Sequence, residues 1–195
     1  MITVFPIETP SFVLRAFTLQ DTEAIFRLDS DPEIQKYLGS PLVSRERSAR
    51  MLEHEIATFA RQGFGLVAVA EPVTDRVLGY ASLHRDRSRD GLEVVVALAA
   101  EACGNRLGPA VAEALLDVGC RRLRATEIVA RVSPTNTKAL RLVERLRMKR
   151  VEQTPEEYIY AWPCSCPRNA AYQGDEAEAR PTSELRSVSP ALGRQ

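Results

Sequence analysis

Three apolar runs of strand length follow one another near the middle of the chain, and they constrain the fold more than any other feature. The runs are residues 65–70, 77–84 and 92–98. The two short segments that join them contain the Pro, Asp, Ser and Gly residues typical of turns. Because strands joined by short turns pair with their neighbours in the chain, the pattern predicts an antiparallel meander.

The chain changes to helical periodicity directly after the third run. Residues 109–123 place Val111, Ala114, Leu115 and Val118 on one stripe, and residues 126–132 again have strand composition. A strand, a helix and a second strand in succession predict a right-handed crossover to a parallel neighbour. The sheet is therefore expected to be mixed.

The remaining segments complete an α/β fold with a central, mostly antiparallel, mixed sheet of six to seven strands and about four flanking helices. The predicted helices are 21–28, 32–38, 44–63 and 136–146, and the predicted strands are 11–19, 148–153 and 157–162. Residues 1–162 are expected to form a single domain. Residues 163–195 are rich in Ser, Pro, Glu, Arg and Ala without periodicity, which predicts a disordered tail.

Composition excludes several classes of protein. The 26 basic and 26 acidic residues balance, which argues against a nucleic-acid partner. The longest apolar run, residues 94–100, is too short to span a membrane, and no signal peptide precedes the domain, so a cytoplasmic protein with free cysteine thiols is expected. Cys164 and Cys166 lack a second pair of ligands, so no metal is expected.

The loop 103-CGNRLGPA-110 precedes the helix expected to begin at Pro109. Helix N-termini carry free N–H groups and a partial positive charge, and they bind phosphates where glycines let the backbone approach closely. Gly104 and Gly108 would allow that approach. The segment matches neither common phosphate-binding fingerprint, so from the loop alone a plain turn and a phosphate site both remain open.

Taken together, residues 9–162 resemble the GCN5-related N-acetyltransferase (GNAT) superfamily. The branch that acetylates ribosomal-protein N-termini, with its relatives that act on small amines, is the most similar. The resemblance is carried, in order, by 9-TPSFVLRAFTLQD-21, 31-DPEIQKYLG-39, 62-QGFGLVAV-69, 78-LGYASL-83, Glu93, 103-CGNRLGPA-110 and 133-SPTNTKALRLVERLRM-148.

The resemblance implies acetyl-CoA as co-substrate and a V-shaped opening between the fourth strand, 92–98, and the fifth, 126–132. The implied cofactor-binding residues lie on the edge of the fourth strand, in the loop after it and at the start of the last helix. They are Ala97, Leu98, Ala99, Gly104, Asn105, Arg106, Leu107, Gly108 and Asn136. Asn136 is equally explained as a helix cap.

Acetyl transfer needs a base, and the resemblance implies Glu93, although a solvated strand carboxylate is the alternative. His84 could serve instead, and Tyr158 or Tyr160 could protonate the leaving thiolate only if the last hairpin folds over the cleft. The positions where many relatives carry that acid are Ala139 and Val143.

Two arginines, Arg106 and Arg147, occupy family glycine positions. We therefore expect either an N-acetyltransferase acting on a protein N-terminus or a small-molecule amine, or a non-catalytic module with the same fold. Either would be a monomer or a homodimer.

Overall fold

The computed structural model describes residues 4–38, 44–86, 88–103 and 106–164. These residues form one mixed sheet of eight strands in the order β1-β2-β3-β4-β5-β6-β8-β7. The strands are β1 Ile7–Glu8, β2 Val13–Ala16, β3 Leu66–Ala70, β4 Val77–Arg85, β5 Leu92–Leu98, β6 Glu127–Val132, β7 Lys149–Gln153 and β8 Tyr158–Pro163. The helices are α1 Thr22–Asp29, α2 Pro32–Leu38, α3 Arg45–Gln62, α4 Leu107–Asp117 and α5 Thr137–Arg145.

The predicted meander and crossover are confirmed. Strands β3, β4 and β5 pair antiparallel, and β5 pairs with β6 in parallel. The fourth and fifth strands of the sequence prediction are β5 and β6, because the two-residue strand β1 precedes them and pairs with β2.

Alternate residues of the strands contribute to separate cores on the two faces of the sheet, and Val129, Ile159 and Ala161 form a third, small cluster. Val94 and Ile128 belong to the larger core, together with Val111 and Leu115 of α4. The second core contains Ala97 with residues of α1, α2 and α3, namely Ile25, Leu28, Ile34 and Leu52. Helices α4 and α5 therefore cover one face of the sheet, and α1 to α3 cover the other.

The expected opening lies between β5 and β6. These strands pair only at Leu92–Ile128 and Glu93–Val129. Beyond Glu93, β5 continues to Leu98 and stays paired with β4, whereas β6 pairs along its whole length with β8. The edge of β5 that faces β6 is therefore left without a strand partner after Glu93.

Two expectations from the sequence are wrong. Helix α4 begins at Leu107, two residues before Pro109, and its last turn is a π-helix at Val118–Arg122. Cys120 and Cys164 form a disulfide rather than free thiols, while Cys103 is free and exposed. Pro163, the first residue of the predicted tail, is the last residue of β8.

Residues 165–195, with Cys166 and most of the predicted tail, lie outside the described residues, as do Gly104 and Asn105. Within the described ranges, no helix is both long and apolar enough to cross a membrane.

Candidate acetyl-CoA site

The open edge of β5 presents the backbone of alternate residues. The Ala99 N–H donates to the Leu78 carbonyl of β4 at 2.8 Å. The N–H and carbonyl groups of successive strand residues point to opposite neighbouring strands. Those of Ala97 therefore also point to β4, whereas those of Leu98 point into the opening. Of the three predicted edge residues, only Leu98 thus offers its N–H and carbonyl to a ligand. Val96 lies two residues before Leu98, so its backbone groups point to the same side. The sequence analysis missed Val96, although the two-residue period of a strand could have identified it.

The N-terminus of α4 lies beside this edge. A Cβ built on Gly108 would meet only Leu98 Cδ1, at 3.7 Å. The N–H groups of Leu107 and Gly108 belong to the first turn and so have no acceptor within the helix. Pro109 lies in the same turn, so its missing N–H does not weaken the helix. The two backbone surfaces that a nucleotide-linked thioester would need are thus adjacent.

Arg106 occupies the residue before α4 in the left-handed conformation, with φ 59° and ψ 10°. Its carbonyl accepts the first bond of the helix, from the Ala110 N–H at 3.2 Å. The loop therefore keeps a backbone conformation that glycine adopts most easily, despite the side chain. Its guanidinium is exposed at the mouth of the helix.

Glu93 lies at the apex of the opening, in the last pair that joins β5 to β6. Its Oε2 lies 3.3 Å from Nε2 of His84 and 3.9 Å from Nη1 of Arg131, and its side chain is 16% exposed. The alternative of a freely solvated carboxylate does not fit this environment. His84 has a side chain that is 45% exposed, so it connects Glu93 to solvent.

Two further groups hold His84 and Arg131, the side chains that contact Glu93, in position. Nδ1 of His84 lies 3.3 Å from the Ser82 hydroxyl. Nη2 of Arg131 lies 3.0 Å from Oδ2 of Asp86, whose side chain is fully buried. Burial opposes the ionisation of Asp86, but hydrogen bonds from Ser88 and the charge of Arg131 hold its pKa below the usual range. Asp86 therefore anchors the positive charge next to Glu93.

The acetyltransferase (GNAT) domain family matches residues 11–149. The chain belongs to this family. A curated relative, the uncharacterized N-acetyltransferase p20 of Bacillus licheniformis, is 25% identical over 146 residues, which is 73% of this chain and 81% of the relative.

Solved structures share the fold of this GNAT domain. A GNAT-family acetyltransferase from Bacillus anthracis has a TM-score of 0.70 at 20% identity, covering 82% of this chain and 98% of that one. The ribosomal-protein-S5-alanine acetyltransferase of Vibrio fischeri has a TM-score of 0.67 at 13% identity, covering 83% and 97%. The resemblance proposed from the sequence is thereby confirmed at the level of family and fold.

Of the remaining candidates, Asn136 also has a structural role, and the two tyrosines lie on the other face of the sheet from Glu93. Asn136 caps α5, and its Oδ1 accepts from the Ala139 N–H at 3.0 Å. Tyr158 and Tyr160 stand opposite Val132 and Ala130, on the face covered by α5. They therefore project from the other face of the sheet than Glu93, and Tyr160 is part of the larger core.

Three groups that the sequence analysis did not consider share the face of Glu93. Tyr80 pairs with Ala97, and its ring packs against the second core. Burial raises the pKa of Asp29, at the end of α1, to about 6, although Arg47 opposes the rise. Burial likewise raises the pKa of Glu55 on α3, opposed by His54 and His84. Asp29 follows Ile25, and Glu55 follows Leu52, at helical spacing. A carboxylate on the apolar stripe of a helix was therefore the sequence signal that could have identified both residues.

Proposed function

We propose that this GNAT domain transfers the acetyl group of acetyl-CoA to a primary amine by direct attack in a ternary complex, with Glu93 as base. The acceptor is the amine of a protein N-terminus or of a small molecule. The observation that carries the proposal is the unpaired edge of β5, which has the N-terminus of α4 at one end and Glu93 at the other.

The open edge suits the pantetheine arm. Its amide groups would pair with Leu98 and Val96 as an added strand would, using main-chain bonds that tolerate any side chain. The N–H groups of Leu107 and Gly108, with the guanidinium of Arg106, would hold the pyrophosphate, because anions are stabilised at helix N-termini. The Oδ1 atom of Asn136 accepts the hydrogen bond that caps α5, so its amide N–H groups would contact the thioester end of acetyl-CoA.

The chemistry requires a neutral acceptor amine. Glu93 accepts a proton from the bound ammonium, directly or through a water, and His84 passes it to solvent. The amine nitrogen then bonds to the thioester carbonyl carbon and the carbon–sulfur bond breaks. The proton that the nitrogen loses on becoming an amide neutralises the departing thiolate, so CoA leaves as a thiol. Arg131 holds Glu93 in place through Nη1, because its Nη2 is fixed by Asp86.

A non-catalytic CoA-binding module is the second candidate, and the left-handed arginines favour it. Arg106 and Arg147 have φ values of 59° and 58°, at positions where the resemblance to the family implies glycine. A domain released from catalysis could accumulate such residues. This candidate binds acetyl-CoA but transfers nothing.

The test separates binding from transfer. Acetyl-CoA is titrated into the full chain by calorimetry, and CoA release is then followed with a thiol reagent over a panel of primary amines. Glu93→Gln should lower kcat by about 10²–10⁴-fold and leave acetyl-CoA affinity unchanged.

Gly108→Ala is the matched probe of the cofactor site. Packing tolerates the added methyl, so the variant should fold normally while losing acetyl-CoA affinity. No binding at millimolar acetyl-CoA would remove the proposal. Binding of acetyl-CoA without release of CoA, for every amine in the panel, would instead support the non-catalytic CoA-binding module.

A further inference from the structure

The guanidinium of Arg131 lies between two carboxylates, and its contacts with them are unequal. Nη2 lies 3.0 Å from Oδ2 of Asp86 and donates a hydrogen bond to the Ser88 hydroxyl at 2.8 Å. Nη1 lies 3.9 Å from Oε2 of Glu93, which is too far for a hydrogen bond. The guanidinium is therefore bound on the side of the β4–β5 turn and not on the side of Glu93.

The gap beside Glu93 needs a cause, because Nη1 of Arg131 is buried. In the part of the chain that the structure describes, Nη1 has no hydrogen-bond partner. A buried N–H group without an acceptor costs free energy, and a guanidinium and a carboxylate shielded from water attract each other. Both effects favour a closer approach of Arg131 to Glu93. Another contact must therefore hold the guanidinium back.

Asp86 is placed to make that contact. Its side chain is fully buried, and its Oδ1 accepts hydrogen bonds from the N–H and the hydroxyl of Ser88, at 2.8 and 3.0 Å. The Asp86 N–H donates to the Gly91 carbonyl at 3.0 Å, which fixes the residue in the turn between β4 and β5. Oδ2 is buried and accepts no hydrogen bond within the described ranges. The positive charge of Arg131 therefore has to compensate the charge of this oxygen.

The other charged groups around the pair act on different atoms. Glu157, in the turn between β7 and β8, has Oε1 at 4.0 Å from Nε of Arg131. His84 approaches Glu93 from β4, with Nε2 at 3.3 Å from Oε2. Glu55 of α3 lies near His84, which opposes the rise of the pKa of Glu55 that burial causes. None of these contacts involves Nη2, the nitrogen that Asp86 and Ser88 hold.

We propose that Asp86 is a positioning residue, which holds Arg131 back from Glu93 and so keeps the base able to accept a proton. The inference rests on the proposed function, in which Glu93 is the base. At 3.9 Å the guanidinium orients the carboxylate through its charge. In direct contact it would donate hydrogen bonds to the ionised carboxylate and stabilise it, and a carboxylate stabilised in this way is a weaker base.

The test measures the protonation of Glu93 directly and does not depend on turnover. The carboxyl ¹³C resonance of Glu93, assigned by its loss in Glu93→Gln, is titrated by NMR on the full chain. Asp86→Asn keeps the shape of the side chain but removes the charge that holds Arg131. The titration midpoint of Glu93 should fall by about one pH unit, because the released guanidinium then pairs with it. The control Asp90→Asn removes an exposed carboxylate from the same turn and should leave the midpoint in place.

A double substitution separates an effect through Arg131 from a direct effect of the Asp86 charge. Arg131→Gln alone should raise the midpoint, and in that background Asp86→Asn should move it little. Ser88→Ala retains both charges and removes one hydrogen bond to Nη2, so it should lower the midpoint by a smaller amount even if Asp86→Asn does not fold. An unchanged or higher midpoint in these Asp86 and Ser88 variants, or an equal shift with and without Arg131, would overturn the role of Asp86.

Activity measurements distinguish a failure of this inference from a failure of the proposed function. In Asp86→Asn, kcat at neutral pH should fall about tenfold, with acetyl-CoA affinity unchanged. An unmoved midpoint together with normal turnover would remove the role of Asp86 and leave acetyl transfer intact. A lowered midpoint in a protein that transfers no acetyl group would support Asp86 and remove the enzyme. A lowered midpoint with unchanged kcat would show that Glu93 is not the base.

Discussion

The substitution Asp29→Asn should make the protein more stable at neutral pH. Burial raises the pKa of Asp29 to about 6 from an ordinary value of 3.8. The folded chain therefore holds this proton more tightly than the unfolded chain. The stability contributed by the protonated form is fully present below about pH 4 and is lost as pH rises through 6. Above pH 6 the folded state carries the full cost of burying the ionised carboxylate.

The magnitude follows from the difference between those two pKa values. A shift of roughly 2 units corresponds to about 3 kcal/mol in favour of the neutral form. Asp29 is partly open to solvent, which screens the penalty, so about 1–2 kcal/mol is expected at neutral pH. Asparagine carries no charge and avoids this penalty. In a domain of this size the gain raises Tm by about 2–8 °C.

Urea denaturation at about pH 7.5 and about pH 4 measures the effect. Asp29→Asn should gain stability at the higher pH, and the gain should shrink towards zero at the lower pH, where aspartate in the wild type is also neutral. Glu53→Gln, on the exposed side of α3, should show no such pH dependence. A variant that is less stable at neutral pH, or a gain of the same size at both pH values, would refute the reasoning.

Three further predictions concern the frame around the site. Asp21→Ala should cost about 1–3 kcal/mol in denaturation, because Arg15 loses its bidentate, buried partner and keeps only the exposed Asp75. Although burial opposes it, Arg15 lowers the pKa of Asp21, so the wild-type stability from this pair is present above about pH 4 and falls on further acidification. Arg147→Gly should stabilise the fold by about 1 kcal/mol, since φ is 58°, and an unchanged Tm would contradict this strain. Reductant should lower the wild-type Tm by an amount corresponding to roughly 2–4 kcal/mol and leave Cys120→Ser unaffected, because the Cys120–Cys164 disulfide joins residues 44 positions apart.

The sheet was predictable because its signals are local. The meander between residues 65 and 98 needs only apolar runs and short turns, and the crossover needs only the change of period after it. Strand β1, Ile7–Glu8, has two residues and so leaves no periodic signal. The start of α4 was misplaced because Pro109 is common at the first helical position, whereas here Arg106 enters the helix through a left-handed conformation.

The candidate site was only partly predictable, for a different reason. Glu93 could be placed because the resemblance locates it on a strand, but its contacts with His84 and Arg131 join three strands and depend on the register between them. The disulfide joins residues 44 positions apart, and composition alone favoured free thiols. Carboxylates such as Asp29 follow the helical period, yet polar residues on an apolar stripe are ordinarily taken as exposed.

The parted strands explain why the proposed cofactor surface and the proposed base lie at one place. Backbone groups on the free side of β5 have no strand partner from Val94 onward, and unpaired main-chain groups inside a protein are costly. Water or the amides of a ligand must therefore satisfy them, which makes this edge a binding surface whatever its side chains are. Because pairing with β6 resumes only at Glu93, the proposed base lies where that unpaired edge ends. A ligand that filled this edge from the N-terminus of α4 would therefore bring its far end to Glu93.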